Sequence, residues 1–63
     1  MFKNLKKTRI SNGISCEKMA QILGLSTKSA YSKKENGFVK FTLLEAKEIA
    51  NYFNDTIEHL FFE

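Results

Sequence analysis

The chain has three glycines, Gly13, Gly24 and Gly37, and each closes a stretch about as long as one short helix. Two of them follow asparagine, as Asn12-Gly13 and Asn36-Gly37. Glycine enters the left-handed conformation that ends a helix without a steric penalty at Cβ, so these positions read as stops. There is no proline, and the only β-like run is the short "FVKF" at 38–41. A chain punctuated in this way reads as short helices packed through short loops.

The stretches between the stops support that reading. Phe2, Leu5 and Arg9 share one side of a first helix, which ends at Asn12-Gly13 and leaves Ile14 as a packing residue. Ser15 caps "CEKMAQIL", where Met19, Ala20, Ile22 and Leu23 share a face while Glu17, Lys18 and Gln21 point outward. A third helix is expected from around Thr27 to Asn36-Gly37, with Phe38 and Phe41 of the following loop tucked under it. Thr42 caps a fourth helix with a stripe of Leu43, Ala46, Ile49, Ala50 and Phe53. Thr56 caps a short fifth helix carrying Ile57, Leu60 and Phe61. The expected fold is all-α, a compact bundle of five short helices forming one domain over residues 1–63.

Sixty-three residues lie near the lower limit at which a core alone sustains a fold. One cysteine excludes an internal disulfide and fits a reducing compartment. Cys16 and His59 are the only Cys and His, too few for a structural zinc site, so neither metal nor cofactor is expected. The basic start lacks the apolar run of a signal peptide, and no segment approaches membrane-spanning length. The expectation is a soluble cytoplasmic protein with no membrane partner.

Charge is divided along the chain. Residues 1–40 hold nine Lys or Arg against Glu17 and Glu35, whereas residues 41–63 hold Lys47 against five acids. That polarity suits a basic face turned to a polyanion, although a lysine-rich surface kept for solubility would look the same. The third helix sharpens the choice. Lys28, Ser29, Ser32, Lys33 and Asn36 fall within one arc of about 140° on a helical wheel, with Ala30, Tyr31 and Lys34 opposite. The arc carries hydroxyls, lysines and an amide but no acid, whereas an ordinary solvated face mixes Glu with Lys. Such groups bond phosphates and base edges.

Arg9 lies on the same side as Phe2 and Leu5 and so presents a charge to the interior. Of the two acids in the first forty residues, Glu17 faces out and Glu35 ends the third helix near the core side. Glu35 is therefore the expected partner of Arg9; the alternative is an arginine that reaches solvent over Phe2.

Two helices joined by a tight turn at Gly24 resemble the helix-turn-helix of the phage repressor and Cro (Xre-type) DNA-binding domains, the lambda repressor-like fold. The resemblance runs over nearly the whole chain. It rests on Arg9, on "ISCEKMAQILGLS", on "YSKKENG" and on "EIANYFNDTIEHLF". It implies a transcriptional regulator that reads a double-stranded DNA operator with the third helix. Lys28, Ser29, Ser32 and Lys33 would then contact bases. Ser15, Lys18, Asn36 and Lys40 would clamp phosphates, and Arg9–Glu35 would be a structural ion pair. Two departures stand out. The interval from Gly24 to Glu35 is one residue longer than usual, placing an insertion near Ser26-Thr27. Cys16 stands where such domains often carry a glutamine that reaches a phosphate, and a thiol is a weak donor.

Other functions fit less well. There is no paired-carboxylate site, no Cys/His couple at helical spacing and no phosphate-cradling glycine loop, so neither an enzyme nor a small-molecule receptor is expected. RNA binding would want an aromatic on the basic face. The rival is a protein-binding adaptor of the same fold, of anti-repressor or antitoxin type, which an acidic third helix would have favoured. Operators of this class are usually read by two-fold dimers. The expected contact of a weak homodimer is the acidic end: Asn54, Asp55, His59 and an exposed Phe62.

Overall fold

The computed structural model describes residues 2–62, and among these it contains five helices and no strand. They are α1 (Lys3–Ser11), α2 (Cys16–Leu23), α3 (Lys28–Glu35), α4 (Leu43–Phe53) and α5 (Ile57–Phe61). α2 packs chiefly on α3, α1 on α5, and α4 on both α5 and α2.

The four later helices start alike. Ser15, Thr27, Thr42 and Thr56 each stand in extended backbone and accept a hydrogen bond from the amide three residues on, at 3.0–3.2 Å. Each side chain thus pairs an amide that has no partner within its helix. α4 has the reciprocal bond as well, the Thr42 amide donating to Glu45 Oε1 at 2.9 Å.

The first four helices also end alike. Gly13, Gly24, Gly37 and Asn54 take the left-handed conformation, with φ of 70°, 72°, 87° and 54°. At each stop two amides turn back onto the last carbonyls of the helix. Leu25 N–H donates to Ala20 O at 2.8 Å and Gly24 N–H to Gln21 O at 3.2 Å, and the Ile14, Phe38 and Asp55 amides repeat the Leu25 bond, to Arg9, Lys33 and Ala50. This is the Schellman arrangement, which satisfies carbonyls that a helix end otherwise leaves bare.

One fully buried side chain comes from each helix: Leu5, Met19, Tyr31, Ile49 and Leu60. Ala20, Ala46 and Ala50 fill between them. Phe2, Phe41 and Phe61 close one end edge-on to one another, with centroids 5.1–5.5 Å apart, and Phe41 also meets Tyr31 at 6.1 Å. The core is small, so a single truncation within it removes a large share of the stability.

Two apolar expectations fail. Leu43, placed in the α4 stripe, is 79% exposed. It is the first residue of its helix, and α4 meets the core only one turn later, at Ala46. Of the two loop phenylalanines, Phe41 does tuck in, but Phe38 is 83% exposed. Phe38 follows the Schellman glycine of α3, and there the residue it should pack against is Lys33 rather than a hydrophobe. The third helix begins at Lys28, with Thr27 as its cap. Residues 25–27 form the turn between the Gly24 stop of α2 and the start of α3.

Glu45 links α4 to α3 through Lys34 Nζ at 3.0 Å, with its side chain only 14% exposed. Burial pushes its carboxyl up, but the Thr42 amide, the Lys34 ammonium and the Thr42 hydroxyl together outweigh this and hold it below the usual range. A depressed folded-state pKa contributes stability that is present above the unfolded value, about 4.3, and is lost as pH falls through the folded one. Urea melts between pH 6 and pH 3 should therefore show a larger fall in midpoint for the wild type than for Glu45→Gln.

Candidate nucleic-acid interface

α3 is held by polar bonds as well as by the buried ring of Tyr31. Its Glu35 carboxylate, 3% exposed, accepts from Arg9 Nε at 2.8 Å, from Arg9 Nη2 at 3.1 Å and from the Tyr31 hydroxyl at 2.7 Å. Arg9 Nη1 donates to Ile14 O at 2.9 Å, and the Phe2 amide donates to the Glu35 carbonyl at 3.1 Å. One buried cluster thus fixes α1, the turn after it and the end of α3. The Glu35 hydrogen bond raises the Arg9 pKa against the opposing effect of burial. Burial, then the bond to Glu35, pushes the Tyr31 phenol far above its ordinary value, so it remains a neutral donor. Among the described residues no buried side-chain polar atom lacks a partner.

Lys34 holds the next position round the inner face. Its ammonium donates to Lys40 O and to Glu45 Oε1, both at 3.0 Å. With Tyr31, Lys34 and Glu35 engaged inward, the opposite face of α3 is fixed outward. There Lys28, Ser29, Lys33 and Asn36 are exposed, and Ser32 is half-buried. Asn36 Nδ2 donates to Ser32 Oγ at 3.2 Å, so these two present themselves as a coupled pair. Lys28 and Lys33 make no ion pair among the described residues.

The flanking candidates are also at the surface. Ser15 is exposed; its oxygen accepts from the Lys18 amide at 3.0 Å, which leaves the hydroxyl proton free to donate. Lys18 lies exposed in the first turn of α2, and Lys40 lies exposed in the loop after α3. Cys16 is a half-buried free thiol packed against the core. The exposed acid nearest in sequence to this surface is Glu17, on α2.

At the acidic end, Asn54 forms the left-handed stop of α4 and is exposed. Asp55 accepts from the Thr56 amide at 2.7 Å and pairs with His59 Nδ1 at 2.8 Å, so both side chains are engaged at the start of α5. Phe62 is 73% exposed and lines an apolar groove with Phe2, Leu43, Ile57 and Phe61. Sequence reasoning missed Phe38 and Val39 as surface residues beside α3. The missing signal was the pairing of position 38 with Lys33 across the helix stop.

Among the described residues, no group of three or more His, Cys, Asp or Glu could hold a metal, and no helix is long and apolar enough to cross a membrane. In comparison with known proteins, the family model described as the BetR domain matches residues 1–63. No curated protein and no solved structure matches the chain.

The buried cluster generates a stability prediction. Glu35→Ala leaves a guanidinium buried without its carboxylate and should cost about 3–5 kcal/mol. Glu17→Ala, at an exposed position, should stay within about 0.5 kcal/mol. Urea denaturation followed by circular dichroism measures both, and equal effects would contradict the role given to Glu35.

Proposed function

The chain belongs to the BetR domain family, and on that premise we propose that it is a sequence-specific double-stranded DNA-binding regulator of transcription. α2 and α3 act as the helix-turn-helix, with α3 in the major groove. The observation that carries the reading is the outward face of α3: cations without ion-pair partners among the described residues and short hydroxyls, no acid, on a helix whose other face is locked. The likeness to phage repressor and Cro domains in the motifs of all five helices supports the same assignment.

In this reading Lys28, Ser29, Ser32 and Lys33 meet base edges. Lysine donates to guanine O6 and N7, while serine both donates and accepts, so readout is modest rather than sharp. Ser15, Lys18, Asn36 and Lys40 meet phosphates on either side. Two copies meet weakly through the acidic end, with Phe62 as the apolar element, and DNA completes the pairing.

Selection of bound fragments from random duplex DNA supplies the preferred site, and mobility shifts over a range of salt then separate the roles. Lys33→Ala or Ser29→Ala should cost on the order of 1–3 kcal/mol on the preferred site and less on random duplex. Lys40→Ala should weaken binding to all sequences alike and reduce the salt slope by about one unit. If no substitution at 28, 29, 32 or 33 changes the ratio of specific to random binding, α3 does not read bases.

A further inference from the structure

Phe38 is the most exposed large hydrophobic residue described, at 83%, and it is not on a freely moving tail. Its amide donates to Lys33 O at 2.8 Å, and the Val39 amide also reaches Lys33 O at 3.3 Å. In the Schellman geometry the residue after the left-handed glycine packs toward the residues three or four positions from the helix end, here Lys33 and Ser32. The same device turns Ile14 and Leu25 inward, where they pack against the core. On α3 it instead leaves an aromatic ring exposed at the end of the helix. An exposed apolar ring whose backbone is held by hydrogen bonds at the end of α3 is a surface formed in advance of a partner.

The neighbours of the ring identify the partner's charge. Lys33, whose carbonyl holds the Phe38 amide, and Lys40, two residues on, are both exposed and without an ion pair among the described residues, and Glu35, the acid closest in sequence, is buried. A protein surface covering Phe38 would have to neutralise both cations. A polyanion with apolar faces between its charges satisfies all three residues together, and the sugar–phosphate backbone has that pattern. α3 has eight residues, roughly 12 Å of helix, comparable with the roughly 12 Å width of the major groove. If its first turns reach base edges, the stop after Glu35 lies at the lip of the groove, where the backbone runs.

We infer that Phe38 is a DNA-contacting residue, packing its ring on the deoxyribose of the backbone at the lip of the groove entered by α3, between the base edge met by Lys33 and the phosphate met by Lys40. This rests on the DNA-binding reading above. The contact is apolar and independent of base identity. It therefore strengthens binding to every duplex without releasing a counterion.

The test measures Phe38→Ala, Phe38→Leu and Lys40→Ala beside the wild type on preferred and random duplexes across salt, with urea melts of each. Phe38→Ala should weaken both duplexes by roughly tenfold, the loss expected on forfeiting burial of one large apolar side chain. Its salt slope should remain that of the wild type, its urea midpoint should not fall, and Phe38→Leu should recover most of the affinity. A Phe38→Ala protein that binds like the wild type overturns the inference while leaving the DNA-binding reading intact. So does a loss accompanied by a reduced salt slope, which would trace the effect to a displaced lysine, or a fall in midpoint, which would make the ring a core contact. Tighter binding to single strands, with Phe38→Leu as weak as Phe38→Ala, would replace the sugar contact with stacking on an unpaired base. A wild-type protein that shifts no duplex at low salt removes both readings together.

Discussion

The carboxylate of Glu35 is the point on which the arrangement of this small protein turns. It accepts three hydrogen bonds, two from Arg9 and one from Tyr31, inside a molecule with few other buried polar groups. Placing a charge pair there costs desolvation that a hydrophobic substitute would avoid, so net stability is a weak account of it. Position is a better one. The bonds have direction, and they can be made only with α3 at one rotation about its axis. A one-residue slip turns a helix by about 100°, which would bury part of the Lys28–Lys33 face and expose the carboxylate. The cluster therefore determines which side chains α3 shows to the outside.

A second, repeated device controls the turns. Four helices end at a left-handed residue followed by one whose amide reaches back to the helix. The geometry is the same each time, so the outcome depends on the chemistry of the two residues it brings together. Ile14 and Leu25 pack against the core and draw the chain inward. Asp55 pairs with His59 and with the Thr56 amide, and so starts the next helix. Phe38 finds Lys33 and stays outside.

The helices and their ends were legible in the sequence because their causes are local. Ser15, Thr42 and Thr56 cap the helices that follow them, and the glycines stop the helices before them. The outward arc of α3 was legible for the same reason, since spacing alone puts Lys28, Ser29 and Lys33 together. Leu43 and Phe38 were not, because periodicity says which residues share a side and not how far the core extends beneath them. The Asn36–Ser32 bond was also hidden: spacing allows it, but only the side-chain rotamers decide it.

These two devices explain how a chain of this size can keep a helix with so little apolar surface. α3 offers Tyr31 as its one fully buried large side chain, and its inward polar contacts include Glu35 to Arg9 and Lys34 to Glu45 and the Lys40 carbonyl. Apolar contact is non-directional and needs area, so a helix held by it alone would need more of its positions turned inward. Charged hydrogen bonds are stronger per contact and need few residues. Anchoring by three polar-tipped side chains at 31, 34 and 35 leaves Lys28, Ser29, Lys33 and Asn36 free of any structural duty toward the core. The same economy accounts for Phe38: with no hydrophobe on that face for it to cover, its ring remains available for contact with something other than the protein's own interior.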